Sequence, residues 1–92
     1  MSCNCSLCSR KGYLLTFVPA SAFTLKTPLE NIRTYTFNTG RIKHQFCPTC
    51  GCSPLGQGAD PQGNAMVAIN VRCLEDIDLD ALTIKKVDGR SL

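Results

Sequence analysis

Arg41-Ile42-Lys43-His44-Gln45-Phe46-Cys47-Pro48-Thr49-Cys50-Gly51 is the stretch that decides the fold. Polar and apolar residues alternate up to Phe46, the period of a half-buried strand. The chain then enters Cys-Pro-x-Cys-Gly. Proline fixes one φ angle and glycine admits the tight turn after the second cysteine. Two thiols so placed can converge on one ion at about 2.3 Å, as tetrahedral zinc requires. Residues 32–37 alternate as well, with Arg33, Tyr35 and Phe37 on one face, and Asn38-Thr39-Gly40 supplies a turn. The two segments read as a hairpin whose second strand delivers Cys47 into a metal knuckle.

Upstream, the chain opens with a second cluster, Cys3-Asn4-Cys5-Ser6-Leu7-Cys8. Three thiols in a C-x-C-x2-C run lack an obvious fourth ligand beside them. They either join Cys47 and Cys50 in one structural zinc site, or form a separate three-thiolate site whose fourth position is open to water or a substrate thiol. Ser9-Arg10-Lys11-Gly12 then reads as the end of a short helical turn, with Gly12 as its stop. Tyr13-Leu14-Leu15-Thr16-Phe17-Val18 is a strand signal closed by Pro19, and residues 21–29 read as irregular. Downstream, residues 56–64 look like a polar, glycine-rich loop. Ala65-Met66-Val67-Ala68-Ile69-Asn70-Val71 is a nearly continuous apolar run of strand length, expected in the sheet centre and covered on both faces. One turn of helix within 75–82 and a last short strand over 83–87 complete an antiparallel, mostly β chain.

Size and composition narrow the function. Ninety-two residues make one small domain, whose core alone is marginal. The start shows no basic and apolar leader segment. With seven cysteines, an odd number at short spacings, metal coordination is favoured over a disulfide framework, and the expected location is cytoplasmic. No apolar stretch has membrane-spanning length, so no membrane partner is expected. The formal charge is +3, but a zinc held by four thiolates removes about two charges. The basic residues are scattered rather than striped, which argues against nucleic acid.

Other residues carry a bland and a sharp reading each. Cys52 is either a small core residue or a further candidate ligand, and Cys73 reads as structural. His44 shares parity with Ile42 and Phe46, so it is a packed histidine or a ligand or proton carrier. Asn70 is the one polar side chain of its strand and must be bonded, either orienting a loop or facing a site. Asp76-Ile77-Asp78-Leu79-Asp80 lacks the glycine and glutamate of a calcium loop, having Ala81 and Val87 in their places.

Taken in order and spacing, the first cluster, Asn38-Thr39-Gly40-Arg41-Ile42-Lys43-His44, the Cys-Pro-Thr-Cys-Gly knuckle and Asn70-Val71-Arg72-Cys73-Leu74 resemble the glutathione-dependent formaldehyde-activating enzyme family, which includes the centromere protein V-type domains. The resemblance implies a zinc-stabilised β-tent of the Mss4-like kind spanning residues 1–92 as a single domain, with one or two zinc ions. It assigns Cys3, Cys5 and Cys8 to a catalytic zinc and Cys47 and Cys50 to half of a structural zinc. The other half lies, in such proteins, on an earlier strand, so this chain is expected to be an N-terminally shortened member. Cys52 could then compensate in part. The implied activity is carbon–sulfur lyase: the reversible joining of formaldehyde and glutathione. A small thiol is the expected partner, with Arg10, Lys11, Asn70 and Arg72 as candidate substrate contacts. The alternative is a non-catalytic, zinc-stabilised binding module.

Overall fold

The computed structural model describes residues 1–28, 31–36 and 40–91. Strand β1 (Ser2–Cys3) is followed by helix α1 (Ser6–Lys11), β2 (Leu15–Pro19), β3 (Arg33–Tyr35), β4 (Lys43–Phe46), β5 (Leu55–Ala59), β6 (Ala65–Asn70) and β7 (Lys86–Val87), with single 3-10 turns between. Five strands form one antiparallel sheet in the order β2-β6-β5-β4-β3. The protein is thus mostly β with little helix. No described helix is long and apolar enough to cross a membrane.

The hairpin is β3–β4, with Tyr35 opposite His44 and Arg33 opposite Phe46. Its turn residues Phe37, Asn38 and Thr39 lie outside the described residues, and Gly40 has φ +71°. β4 runs directly into the knuckle. There the Gly51 N–H donates to the Cys47 carbonyl at 2.8 Å and the Cys47 N–H to the Cys52 carbonyl at 2.9 Å. Gly51 takes φ +81°, a value open to glycine at little cost.

Two expectations are corrected. The glycine-rich segment 56–64 is not a loop throughout, because its first part is strand β5, paired to β4 on one side and β6 on the other. Gly56 is buried in the sheet, and a Cβ there would lie 3.4 Å from the Lys43 carbonyl. The glycines thus mark close packing rather than a turn. Only the following residues turn, around Asp60, whose carboxylate accepts from the Gln62 and Asn64 N–H groups. Strand β6 is hydrogen-bonded along both edges, as expected for an interior strand. It is not covered on both faces, however, since Met66 and Ala68 line an open cavity.

A third feature is one that local periodicity cannot show. β1 and β7 pair in parallel, Ser2 with Lys86 and Cys3 with Val87. The fourth residue then locks the two ends: Asn4 Nδ2 donates to Asp88 Oδ1 at 2.8 Å, and the Arg90 N–H donates to Asn4 Oδ1 at 2.9 Å. Among the described residues the apolar core is thin, with Cys8, Tyr13, Leu14, Leu55 and Val67 its buried members.

Candidate metal and thiol site

α1 builds the site. Cys5 is its N-cap, and Gly12 ends it in the left-handed region at φ +66° with its N–H on the Cys8 carbonyl. This is the glycine stop expected of the sequence. One helical turn separates Cys5 from Cys8, and the extended β1 brings Cys3 in from the other side. The three Sγ atoms lie within 4.8 Å of one another, the one such group of three potential ligands among the described residues. Tetrahedral zinc with bonds of about 2.3 Å places its sulfurs about 3.8 Å apart, so small adjustments would let the cluster hold a zinc ion.

Backbone N–H groups already point at the sulfurs. The Cys8 N–H donates to Cys5 Sγ at 3.3 Å, and the Cys5 N–H to Cys3 Sγ at 3.5 Å. Burial opposes ionisation of Cys5, but the bonds from Cys8, Cys3 and Leu7 outweigh it and hold this thiol below its ordinary 9.0. Cys8 is buried beside the other two, and desolvation with its sulfur neighbours pushes it up to about 12. Three thiols this close therefore do not ionise together unless a cation accompanies them. The donor set and the crowding both suit a metal.

The cluster opens on a cavity of about 530 Å³. Tyr13 and His44 line it together with the three cysteines. Their rings stack, with centroids 6.5 Å apart and planes 11° from parallel. Tyr13 is 6% exposed and its hydroxyl has no hydrogen-bond partner among the described residues. Burial and the charge of Lys11 hold His44 below its usual 6.5, which keeps the imidazole neutral at pH 7. Gly89 closes one wall. A Cβ there would overlap Cys3 Sγ and come within 3.4 Å of the Cys5 Cβ.

The knuckle cysteines do not join this group of three. Cys47 is held below its ordinary 9.0 by the N–H groups of Cys50 and Thr49. At Cys50 the Cys52 N–H works downward, but the Cys52 and Cys47 thiols and burial outweigh it and raise the thiol. Cys50, Cys52 and Cys73 are exposed, so Cys52 is not the small core residue that its position suggests.

The four candidate substrate contacts do not line the cavity. Arg10 donates to the Ser6 carbonyl at 2.9 Å, Lys11 to Ser53 Oγ at 2.9 Å, and Arg72 Nε to the Gly12 carbonyl at 2.8 Å. Asn70 orients the chain around it: its Oδ1 accepts from the Leu14 and Arg72 N–H groups, and its Nδ2 donates to the Ser53 carbonyl and Cys73 Sγ. Sequence reasoning did not place Tyr13 or Gly89 at the site. Tyr13 was hidden inside an ordinary strand signal, and nothing local ties Gly89 to Cys3.

Fold and site together define a small antiparallel β protein carrying a three-thiol cluster, able to hold zinc, at the wall of a cavity. The family model of the glutathione-dependent formaldehyde-activating enzyme matches residues 1–86. The chain belongs to that family. Among solved structures, the crystal structure of a Rhodobacter sphaeroides protein is 29% identical and superposes with a TM-score of 0.79, covering 94% of this chain and 78% of that one.

Proposed function

We propose that the chain holds zinc on Cys3, Cys5 and Cys8 and acts as a carbon–sulfur lyase on a small thiol–aldehyde adduct. The family's description suggests formaldehyde and glutathione as the reacting pair. One observation carries the reading: three sulfurs gathered within 4.8 Å, where a fourth ligand can enter from the cavity. Zinc bound there supplies a Lewis acid that favours a thiolate over a thiol at neutral pH.

This chain's residues do the rest. Cys3, Cys5 and Cys8 fix the point at which the substrate sulfur enters, and the cavity holds the aldehyde carbon beside it, so that the reaction gains from proximity. In the joining direction a sulfur–carbon bond forms, the carbon–oxygen π bond breaks, and the thiol proton ends on oxygen. Cleavage is the reverse. His44, on the same cavity wall and neutral at pH 7, is the group placed to take that proton and return it. Cys47 and Cys50, at the end of the hairpin, would supply half of a second, structural zinc site.

Formaldehyde adds to thiols without help, so exchange spectroscopy is the appropriate test. With 13C-formaldehyde and a thiol at equilibrium, zinc-loaded protein is expected to speed exchange between the hydrate and adduct carbons, and Cys5→Ala is expected to remove the effect. Exchange at the protein-free rate, with zinc bound, would leave a non-catalytic binding module.

A further inference from the structure

We infer that the cavity beside the three-thiol cluster selects an apolar thiol, or its aldehyde adduct, over the charged tripeptide glutathione. The inference rests on the thiol-site reading above and narrows its substrate class. Strand register explains the lining. Phe17 pairs with Ala68, His44 with Gly56, and Gly56 with Ala68, so one face of four strands looks into the cavity. That face presents Leu15, Phe17, Ile42, Met66 and Ala68, with Val87 of β7 opposite. Gly56 and Gly58 give it a floor without side chains, and only Ile42 leans toward Gly58. Phe17 and Ile42 remain 47% and 53% exposed, apolar surface that a ring or alkyl chain would cover.

The charges on the wall do not suit a peptide. Among the described residues, no arginine or lysine lines the cavity. Its acidic side chain, Asp60, is already bonded to Gln62 and Asn64 and would repel a carboxylate. The Met1 ammonium, which donates to the Leu15 carbonyl at 2.6 Å, is the single cation on the wall among the described residues. Glutathione brings two carboxylates against that one cation, and burying a carboxylate without a partner is unfavourable. A volume of about 530 Å³ is ample for a ring-bearing thiol.

The test loads the full chain with cobalt and titrates benzyl mercaptan or glutathione, reading the sulfur-to-cobalt charge-transfer band. Benzyl mercaptan is expected to half-saturate the site at a concentration at least about tenfold lower than glutathione. Ile42→Lys, a change at an exposed position that puts a cation on the wall, is expected to narrow or reverse that ratio. Glutathione binding as tightly as benzyl mercaptan, or more tightly, overturns the inference and leaves the thiol-site reading standing. A cobalt spectrum that neither thiol alters overturns both.

Discussion

Gly89 lies against the sulfur of Cys3, so closely that no side chain fits between them. The contact joins the two ends of the chain at the thiol cluster, beneath the β1–β7 pairing and the Asn4–Asp88 hydrogen bond. A wall of the site is therefore made by residues more than eighty positions from the cysteine they hold.

Gly89→Ala should displace Cys3 Sγ from the cluster and leave the five-stranded sheet intact. Overpacking of this kind costs about 1–3 kcal/mol, so cobalt affinity is expected to fall roughly five- to hundredfold. A cobalt titration beside far-ultraviolet circular dichroism checks it. Unchanged affinity would show that the cluster does not depend on this wall.

Asn70→Ala removes an amide, 6% exposed, that serves the Leu14 and Arg72 N–H groups and the Ser53 carbonyl. Leaving such groups unpaired costs about 1–3 kcal/mol. The Tm of the zinc-loaded protein should drop by roughly 5–20 °C. Thiol binding by the folded protein should change little, since Asn70 orients the chain and does not line the cavity.

Tyr13→Phe should be the opposite case. The hydroxyl is buried without a partner among the described residues, a state that destabilises, so its removal is expected to leave Tm unchanged or raise it. A fall of several degrees would show that the hydroxyl has a partner in solution, with bound metal or substrate the first place to look.

Acid should strip metal before it loosens the strap between the chain ends. Hydrogen bonds from Asn4 and Ser91 hold the Asp88 carboxyl below its ordinary 3.8. A depressed carboxyl contributes its stability above pH 3.8 and loses it as pH falls through the lower folded value. Protons compete with metal for thiolates at higher pH than this. The cobalt–thiolate band should therefore vanish with a midpoint above pH 3.8, while circular dichroism of β structure changes only later or together with metal loss. Loss of the sheet signal ahead of the band would reverse that order.

Much of this architecture was legible because local chemistry and fold agree. The alternation through Phe46, the proline and glycine of the knuckle, and Gly12 after the cysteine helix each have one good structural reading, and the structure has them. Gly56 and Gly58 misled because glycine signals both turns and close strand packing, and only the neighbouring Lys43 carbonyl and Ile42 decide between them. Spacing left a separate cysteine triad as one of two readings, and its walls could not be read at all. Tyr13 and His44 meet through sheet pairing, and Gly89 meets Cys3 through a two-residue parallel ladder. Sequence proximity to a cysteine does not by itself say what a cation bonds: Arg10 and Arg72 each donate to a backbone carbonyl.

The central claim is that Cys3, Cys5 and Cys8 hold a zinc ion with one position left for a thiol. Zinc-edge X-ray absorption of the full chain, with each ion's sites resolved by comparing wild type and Cys8→Ser, reads the ligand atoms directly. For the ion lost in Cys8→Ser, three sulfurs at about 2.3 Å and one nitrogen or oxygen at about 2.0–2.1 Å are expected. On adding benzyl mercaptan, that lighter ligand should give way to a fourth sulfur. Four sulfurs before any thiol is added, or a zinc environment identical in Cys8→Ser, would contradict the account.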